Sequence, residues 1–404
     1  MPIKKYLDTT VYDASLDRIR NLYKRFDNVS VMFSGGKDST AVLYLAKKVA
    51  KELGELPLTV HFIDEEVIHP TTVEYVQRIS EDSDIDLRWY CMPFKHRNAC
   101  SNEQPYWYCW NPDEKNLWVR DMPNEAITED SCFNFGMTYV EWSCVKNNNK
   151  NDINLLGIRS DESLRRLRMF TTAAKNKSID DVYYNRSKNK ISFYNGKIAW
   201  TKTFNGYPIY DWTTHDVWKL VLEKNIDYNK TYNLFNKTKL YNKLWSQRVS
   251  QPFGEEPLRN MYLYAQCFPE LWAKMVERVK GVNSAKYYSN TSLWGFGIGK
   301  LHKPEHLSWK EYTAVLITNY SEEYQTKVKR TINKAITTHY KLTDEKIEDE
   351  ISHILSGVSW RTLAKLVIKG DFKGRTIATL KTRMEPEMER NSISARSAKI
   401  NHGI

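Results

Sequence analysis

The residues best suited to chemistry lie together in Ser34-Gly35-Gly36-Lys37-Asp38-Ser39, directly after the apolar run Val29-Ser30-Val31-Met32-Phe33. Paired glycines permit a tight turn, and a turn that enters a helix leaves backbone N–H groups without intrahelical partners. Those donors, with the positive end of the helix dipole and the Lys37 ammonium, make a cradle for phosphate. Asp38 or Ser39 is expected to cap the helix that follows. The spacing is not that of the longer Gly-x-x-x-x-Gly-Lys-Ser/Thr loop. A second group of the same character is Gly157-Ile158-Arg159-Ser160-Asp161-Glu162-Ser163, with Arg165, Arg166 and Arg168 close behind. A strand end, a capping Ser or Asp and converging guanidinium groups suit bidentate binding of phosphate or carboxylate. His215 falls near these groups but stays outside the expected catalytic set, since a lone histidine is more often structural.

The elements that position these groups follow from hydrophobic period. Leu16, Ile19, Leu22, Tyr23 and Phe26 share one face of an expected helix over Leu16–Phe26. The run from Val29 reads as a buried strand, and Val42, Leu45, Ala46, Val49 and Leu53 recur at helical spacing up to Gly54, a C-cap. Leu56–Ile63 reads as a second strand, Thr71–Ser80 as a helix and Ile85–Met92 as a third strand. This βαβ arrangement places the glycine turn at the carboxyl end of the first strand, where ligands of open parallel sheets bind. Residues 93–150, rich in Trp, Tyr, Pro and Asn, read as a long insertion that either carries substrate-binding surface or covers the core. Asp152–Ile158 resumes as a strand that delivers Arg159. Lys190–Phe204 reads as a hairpin around Asn195-Gly196, and Pro208-Ile209-Tyr210-Asp211-Trp212 leads into a helix through a Thr/Asp cap.

Length allows two or three domains, and the formal charge of +11 favours acidic partners such as nucleotides, nucleic acid or anionic surfaces. No apolar run approaches membrane-spanning length and no signal-peptide core is legible, which points to a cytoplasmic protein without a membrane partner. Cys91, Cys100, Cys109, Cys132 and Cys144 cluster in one segment with Cys267 apart. No Cys-x-x-Cys pair occurs, so zinc or an iron–sulfur cluster would need ligands that converge in space. Beyond about Leu220 the chain reads as mainly helical and basic, a possible nucleic-acid surface. Gln251-Pro252-Phe253-Gly254 is expected to fold as a loop, and Ser359 to cap a helix with Trp360, Leu363, Ala364 and Val367 on its apolar stripe, ended by Gly370. The domain expectation is 1–220, 221–384 and a disordered tail over 385–404.

The glycine loop, the Gly157–Ser163 group and Pro208–Trp212 with Asp216-Val217-Trp218 together resemble the phosphoadenosine phosphosulfate (PAPS) reductase family of PP-loop adenine nucleotide α hydrolases. Phe62-Ile63-Asp64, Gln104-Pro105, Cys109-Trp110, Tyr232-Asn233-Leu234, Gly281-Val282, His306-Leu307-Ser308-Trp309 and Ser359-Trp360-Arg361 are similar to the bacterial and phage branch that includes IbrA and YbdN. The resemblance implies an α/β fold, a doubly wound parallel sheet with a mainly helical C-terminal extension. It further implies ATP or PAPS held by Ser34, Gly35, Gly36, Lys37, Asp38, Ser39, Phe62, Ile63, Asp64, Gly157, Arg159, Glu162 and Arg165. Lys37, Asp38 and Arg159 would be the catalytic residues. With a triphosphate, Asp38 would partner magnesium, which prefers a carboxylate plus phosphate oxygens. The implied reaction is cleavage of ATP between the α- and β-phosphates with adenylyl or sulfur-related transfer. The alternatives are a nucleotide-sensing co-regulator acting with a ParB-like partner, and a PAPS reductase. The reductases carry a C-terminal Glu-Cys-Gly-Leu-His motif, whereas this sequence has no cysteine after Cys267.

Overall fold

Hydrophobic alternation in the first strand sets the frame. In the computed structural model, β1 (Asn28–Phe33) buries Val29, Val31 and Phe33, and β2 (Leu58–Ile63) buries Leu58, Val60, His61 and Phe62. The two pair in parallel with Val31 beside Val60, and β3 (Ile85–Tyr90) pairs in parallel with β2. The short strands β4 (Lys95–Arg97) and β5 (Tyr106–Tyr108) form a separate ladder. On the other side of β1 lies β6 (Asp152–Leu155), parallel to it, followed by β8 (Ile198–Gly206), parallel to β6, and β7 (Tyr184–Ser192), antiparallel at the edge. The resulting order β3-β2-β1-β6-β8-β7 is a mainly parallel α/β sheet. Residues described by the structure are 7–101, 103–146, 149, 151–163, 166–171, 183–192, 198–237, 249, 253, 261–288, 303–320, 322–368, 370, 371, 374 and 377.

Helices α1 (Val11–Tyr23), α2 (Lys37–Leu53) and α3 (Pro70–Ser80) accompany the sheet. Thr10 caps α1 by accepting from the Asp13 N–H at 3.1 Å, which starts this helix earlier than the apolar stripe alone predicts. Leu16, Ile19 and Leu22 form its buried face. Gly54 closes α2 in the left-handed conformation, as expected. The expected side-chain cap of α2 is corrected: Gly36 is the N-cap with no side-chain bond, and Asp38 lies inside the first turn. The strands after Ile85 and Asp152 end sooner than expected, at Tyr90 and Leu155. Leu156 and Ile158 leave the ladder to pack against Phe170 and Tyr207. The expected hairpin forms between β7 and β8, while its Asn195-Gly196 turn lies outside the described residues.

Contacts divide the chain into two compact units. The first comprises Met1–His96, Trp107–Pro252 and Leu263–Arg278 and contains the large sheet; the second comprises Arg97–Tyr106, Phe253–Tyr262 and Val279–Ile404. The second unit is mainly helical and has its own core, in which Tyr320, Val328, Ile332, Val358, Leu363, Leu366 and Val367 are buried. The helix expected between Ser359 and Gly370 is present over Trp360–Ile368, with the Ser359 hydroxyl accepting from the Thr362 N–H at 3.2 Å. Of Gln251-Pro252-Phe253-Gly254 only Phe253 is described, and the expected tail over 385–404 lies outside the described residues. No helix among the described residues is long and apolar enough to cross a membrane.

Candidate functional site

Gly35 adopts a φ of +67° between β1 and α2, a conformation that side chains other than hydrogen rarely take. A Cβ there would also stand 2.9 Å from Thr72 Cγ2. The turn is tied internally: the Ser34 N–H donates to Ser39 Oγ at 3.2 Å, and the Ser39 and Thr40 hydroxyls each donate to the Gly36 carbonyl at 2.9 Å. α2 therefore starts with its dipole and its first N–H groups directed at the carboxyl edge of the sheet.

Three charges meet at this helix start. Lys37 Nζ lies 2.7 Å from Asp38 Oδ2, and Arg159 Nε donates to Asp38 Oδ1 at 2.6 Å. The Lys37 and Arg159 side chains are each only 3% exposed, whereas Asp38 keeps 19% of its side chain in solvent. Arg159 Nη1 also meets Asp161 Oδ1 at 2.5 Å, and Asp161 is 41% exposed. Two cations and two carboxylates thus form a cluster that is formally neutral.

Arg159 is placed by elements far apart in sequence. Gly157 lets the chain after β6 touch the helix start, since a Cβ there would stand 2.7 Å from the Asp38 carbonyl carbon. The Arg159 N–H donates to Glu162 Oε1 at 3.1 Å, and Glu162 also pairs with Arg166. Ser160–Glu162 is a single 3-10 turn rather than the expected start of a continuous helix. Arg159 Nη2 reaches Thr214 Oγ1 at 3.2 Å, and the Ser160 N–H donates to the Tyr210 carbonyl at 2.8 Å. The Pro208–Trp212 segment is in turn fastened to α1: Arg18 forms a bidentate pair with Asp211 at 2.7 Å, and Trp212 Nε1 donates to Ser15 Oγ at 2.9 Å. Its part in the site is to hold Arg159 in place.

Segment 227–232 covers the glycine turn from another direction. Asn229 Nδ2 donates to the Gly35 carbonyl at 2.9 Å and to Thr72 Oγ1 at 2.7 Å, while the Tyr232 hydroxyl accepts from the Lys37 N–H at 3.0 Å. Burial pushes the Tyr232 hydroxyl well above its ordinary pKa, so it stays protonated. Tyr232-Asn233-Leu234 is legible in the sequence only as part of the family resemblance, and no local signal marks Asn229.

The remaining expected residues occupy different surroundings. Phe62 is a core side chain between Phe33 and Trp89. Ile63 ends β2 half-buried. Asp64 is fully buried, accepting from Arg120 Nη2 at 2.5 and 2.6 Å, from Trp89 Nε1 at 2.8 Å and from the Glu66 N–H at 2.9 Å. Next to it, the buried Glu66 carboxylate meets Arg278 Nε at 2.8 Å and the Trp110 N–H at 2.7 Å. Arg120, Arg278 and Glu66 were not expected from the sequence. Arg165 lies outside the described residues, and His215 is exposed on the helix Thr214–Glu223.

All six cysteines are free thiols, and among the described residues no three His, Cys, Asp or Glu side chains converge as a metal site. Magnesium needs fewer protein ligands, often one or two carboxylates beside phosphate oxygens, and the partly exposed Asp38 fits that lesser demand. Cys109 lies 3.4 Å from His96 Nε2 and 3.2 Å from the Met92 carbonyl. Burial raises the Cys109 thiol well above its ordinary value and lowers His96 to about 4. The pair is therefore neutral, and Cys109 lacks the thiolate that a nucleophile needs.

Residues 28–238 match the phosphoadenosine phosphosulfate reductase domain, and residues 242–382 match a domain of unknown function, DUF3440. The chain is 31% identical over 402 residues to the uncharacterized protein YbdN of Escherichia coli (strain K12), covering 92% of this chain and 91% of that one. It is 24% identical over 209 residues to sulfate adenylyltransferase subunit 2 of Agrobacterium fabrum, covering 51% of this chain and only 58% of that relative. Among solved structures, phosphoadenylyl-sulfate (PAPS) reductase from Candida auris in its phosphate complex aligns at 13% identity with a TM-score of 0.30, covering 57% of this chain and 93% of that one.

Proposed function

The chain belongs to the phosphoadenosine phosphosulfate reductase domain family, and from that premise we propose that its glycine loop holds the phosphates of an adenine nucleotide, ATP or PAPS. The observation that carries this reading is the meeting of Lys37, Asp38 and Arg159 at the start of α2. Anions gain from the helix N-terminus and from the two cations together. Asp161, the most exposed member of the cluster, is the natural group to give up its place on Arg159 Nη1 to a phosphate oxygen.

With ATP, the proposed reaction is attack by a nucleophilic oxygen of an acceptor on the α-phosphorus, so that an acceptor–adenylyl bond forms as the α–β phosphoanhydride breaks and pyrophosphate leaves. Lys37 and Arg159 would hold the phosphates and offset the negative charge that grows on them. Magnesium, when bound, supplies neutralisation of adjacent phosphate oxygens. Asp38 would contribute one oxygen to it and keep the other on Arg159. Phe62 and Asp64 would shape the nucleoside side of the site as packing and scaffold, leaving the half-buried end of β2 at Ile63 to face adenosine. Gly157, Glu162 and Arg165 would complete the phosphate side.

The rival reading, a cytoplasmic nucleotide sensor of the IbrA-like phage or prophage branch working with a ParB-like partner on nucleic acid, uses the same pocket without turnover. The charge of +11 supports it. PAPS reduction is the weaker rival, because burial raises both Cys109 and Cys267. Incubating the full chain with magnesium and labelled ATP or PAPS, and following pyrophosphate, AMP, adenosine bisphosphate and sulfite, separates the three. Pyrophosphate that disappears in Lys37→Ala is expected. Nucleotide binding with no product, even with candidate partners present, favours the sensor, and sulfite release favours reduction.

A further inference from the structure

Beyond β2 and β3 the insertion encloses a cavity of about 460 Å³, within the volume range of small-molecule sites. Trp110, Trp118, Lys115, Arg120, Cys91 and Met122 are among its lining residues. No residue of the glycine loop and neither Gly157 nor Arg159 lines it.

The cavity wall is built at some conformational expense. Trp110 and Glu66 adopt φ values of +49° and +63°, a region that bulky residues rarely enter. The Glu66 carboxylate holds the Trp110 N–H at 2.7 Å, and Trp110 Nε1 donates to the Asp64 carbonyl at 2.9 Å. Such strain persists where surrounding structure over-determines it, and it is concentrated at ligand sites. Its product here is a pair of indoles set edge to face, with centroids 5.1 Å apart and planes at 86°. Arg120 lies 4.8 Å from the Trp110 ring centroid, and Lys115 5.8 Å from that of Trp118. Arg120 is fixed in position by Asp64, whereas Lys115 is exposed at the rim. Asp121 is also exposed at the rim. A flat ring matches the half-buried indole of Trp118, Trp110 being only 1% exposed behind it, and an acidic substituent matches the Lys115 ammonium at the rim.

We propose that this cavity binds an aromatic carboxylate, as a second site separate from that of the nucleotide. The ring packs on Trp118, and the carboxylate is held at Lys115. The proposal stands independently of what the glycine loop binds.

Calorimetric titration of the full chain with naphthoate tests it. Naphthoate is expected to bind about tenfold more tightly than naphthamide, which lacks the charge, and than cyclohexanecarboxylate, which lacks the flat ring. Trp118→Ala and Lys115→Gln are each expected to weaken naphthoate about tenfold without changing the titration with ATP. Lys115 is exposed, so its variant keeps the test decisive even where Trp118→Ala fails to fold. Equal binding of the amide, no binding of naphthoate, or unaltered affinity in Lys115→Gln would overturn the proposal. Displacement of naphthoate by ATP would overturn it too, by assigning the cavity to the nucleotide itself.

Discussion

Two carboxylate–guanidinium arrangements stand at the carboxyl ends of neighbouring strands, one after β1 and one after β2, and they differ in what water can reach. After β1, Asp38 retains 19% exposure, and the outer contact of Arg159 is the exposed Asp161. After β2, Asp64 and Glu66 are fully buried, and their partners include main-chain N–H groups and an indole as well as guanidinium. A charged pair with a solvated member can exchange that member for a ligand. A carboxylate with no exposure, as Asp64 and Glu66 are, is costly to unpair and so serves as scaffold, even though Arg278 also meets the 39% exposed Glu114 at 2.7 Å. Residue types alone do not separate the two, since both are Asp or Glu with Arg.

The largest effect should come from breaking the closed arrangement. Arg278→Met leaves Glu66 buried without its guanidinium, and a loss of about 4 kcal/mol is expected, read as a fall of roughly 10 °C in melting temperature. A fall of under 2 °C, taken as about 1 kcal/mol or less, would show that Glu66 does not depend on this pair.

Acid should act next. Burial lowers His96 to about 4, below its ordinary value near 6.5, so the unfolded chain takes up a proton that the folded chain refuses. Stability from this group is complete above about pH 6.5 and declines as pH falls towards 4, by on the order of 3 kcal/mol. Thermal unfolding of wild type and His96→Gln across that window should show a shallower decline in the variant.

Gly157→Ala tests the contact between the two motifs of the open arrangement. Its Cβ would meet main chain, which cannot swing aside as a side-chain tip would, so a loss of about 2 kcal/mol with weakened nucleotide binding is expected. The smallest effect belongs to Tyr232→Phe, which removes the acceptor of the Lys37 N–H and should cost about 1 kcal/mol. If a phosphate oxygen replaces that hydroxyl, saturating ATP should restore part of the lost melting temperature. Equal ATP stabilisation of both proteins would mean that the tyrosine stays in place.

Much of this organisation was legible locally. The β1–loop–α2 unit follows from an apolar run, two glycines and a helical period that together span fewer than thirty residues. The cap of α2 was misassigned because Asp38 is drawn to Arg159, a partner 121 positions away that no local rule registers. Arg159 itself stood out, but the groups that fasten it, Arg18 with Asp211 and Trp212 with Ser15, act over more than 190 residues. The aromatic insertion left two readings open, and both describe part of it: Trp107, Trp110 and Trp142 are fully buried, while Trp110 and Trp118 also wall a cavity. Burial decides between scaffold and site, and burial is a property of the folded chain.

The open arrangement after β1 is proposed as the phosphate site. Calorimetric titration of ATP with magnesium into wild type and Lys37→Met tests it most directly. Arg159 still partners Asp38 in the variant, so only about 1–2 kcal/mol of stability should be lost, while ATP affinity should fall about tenfold or more. Equal affinity in a folded Lys37→Met protein would contradict the account.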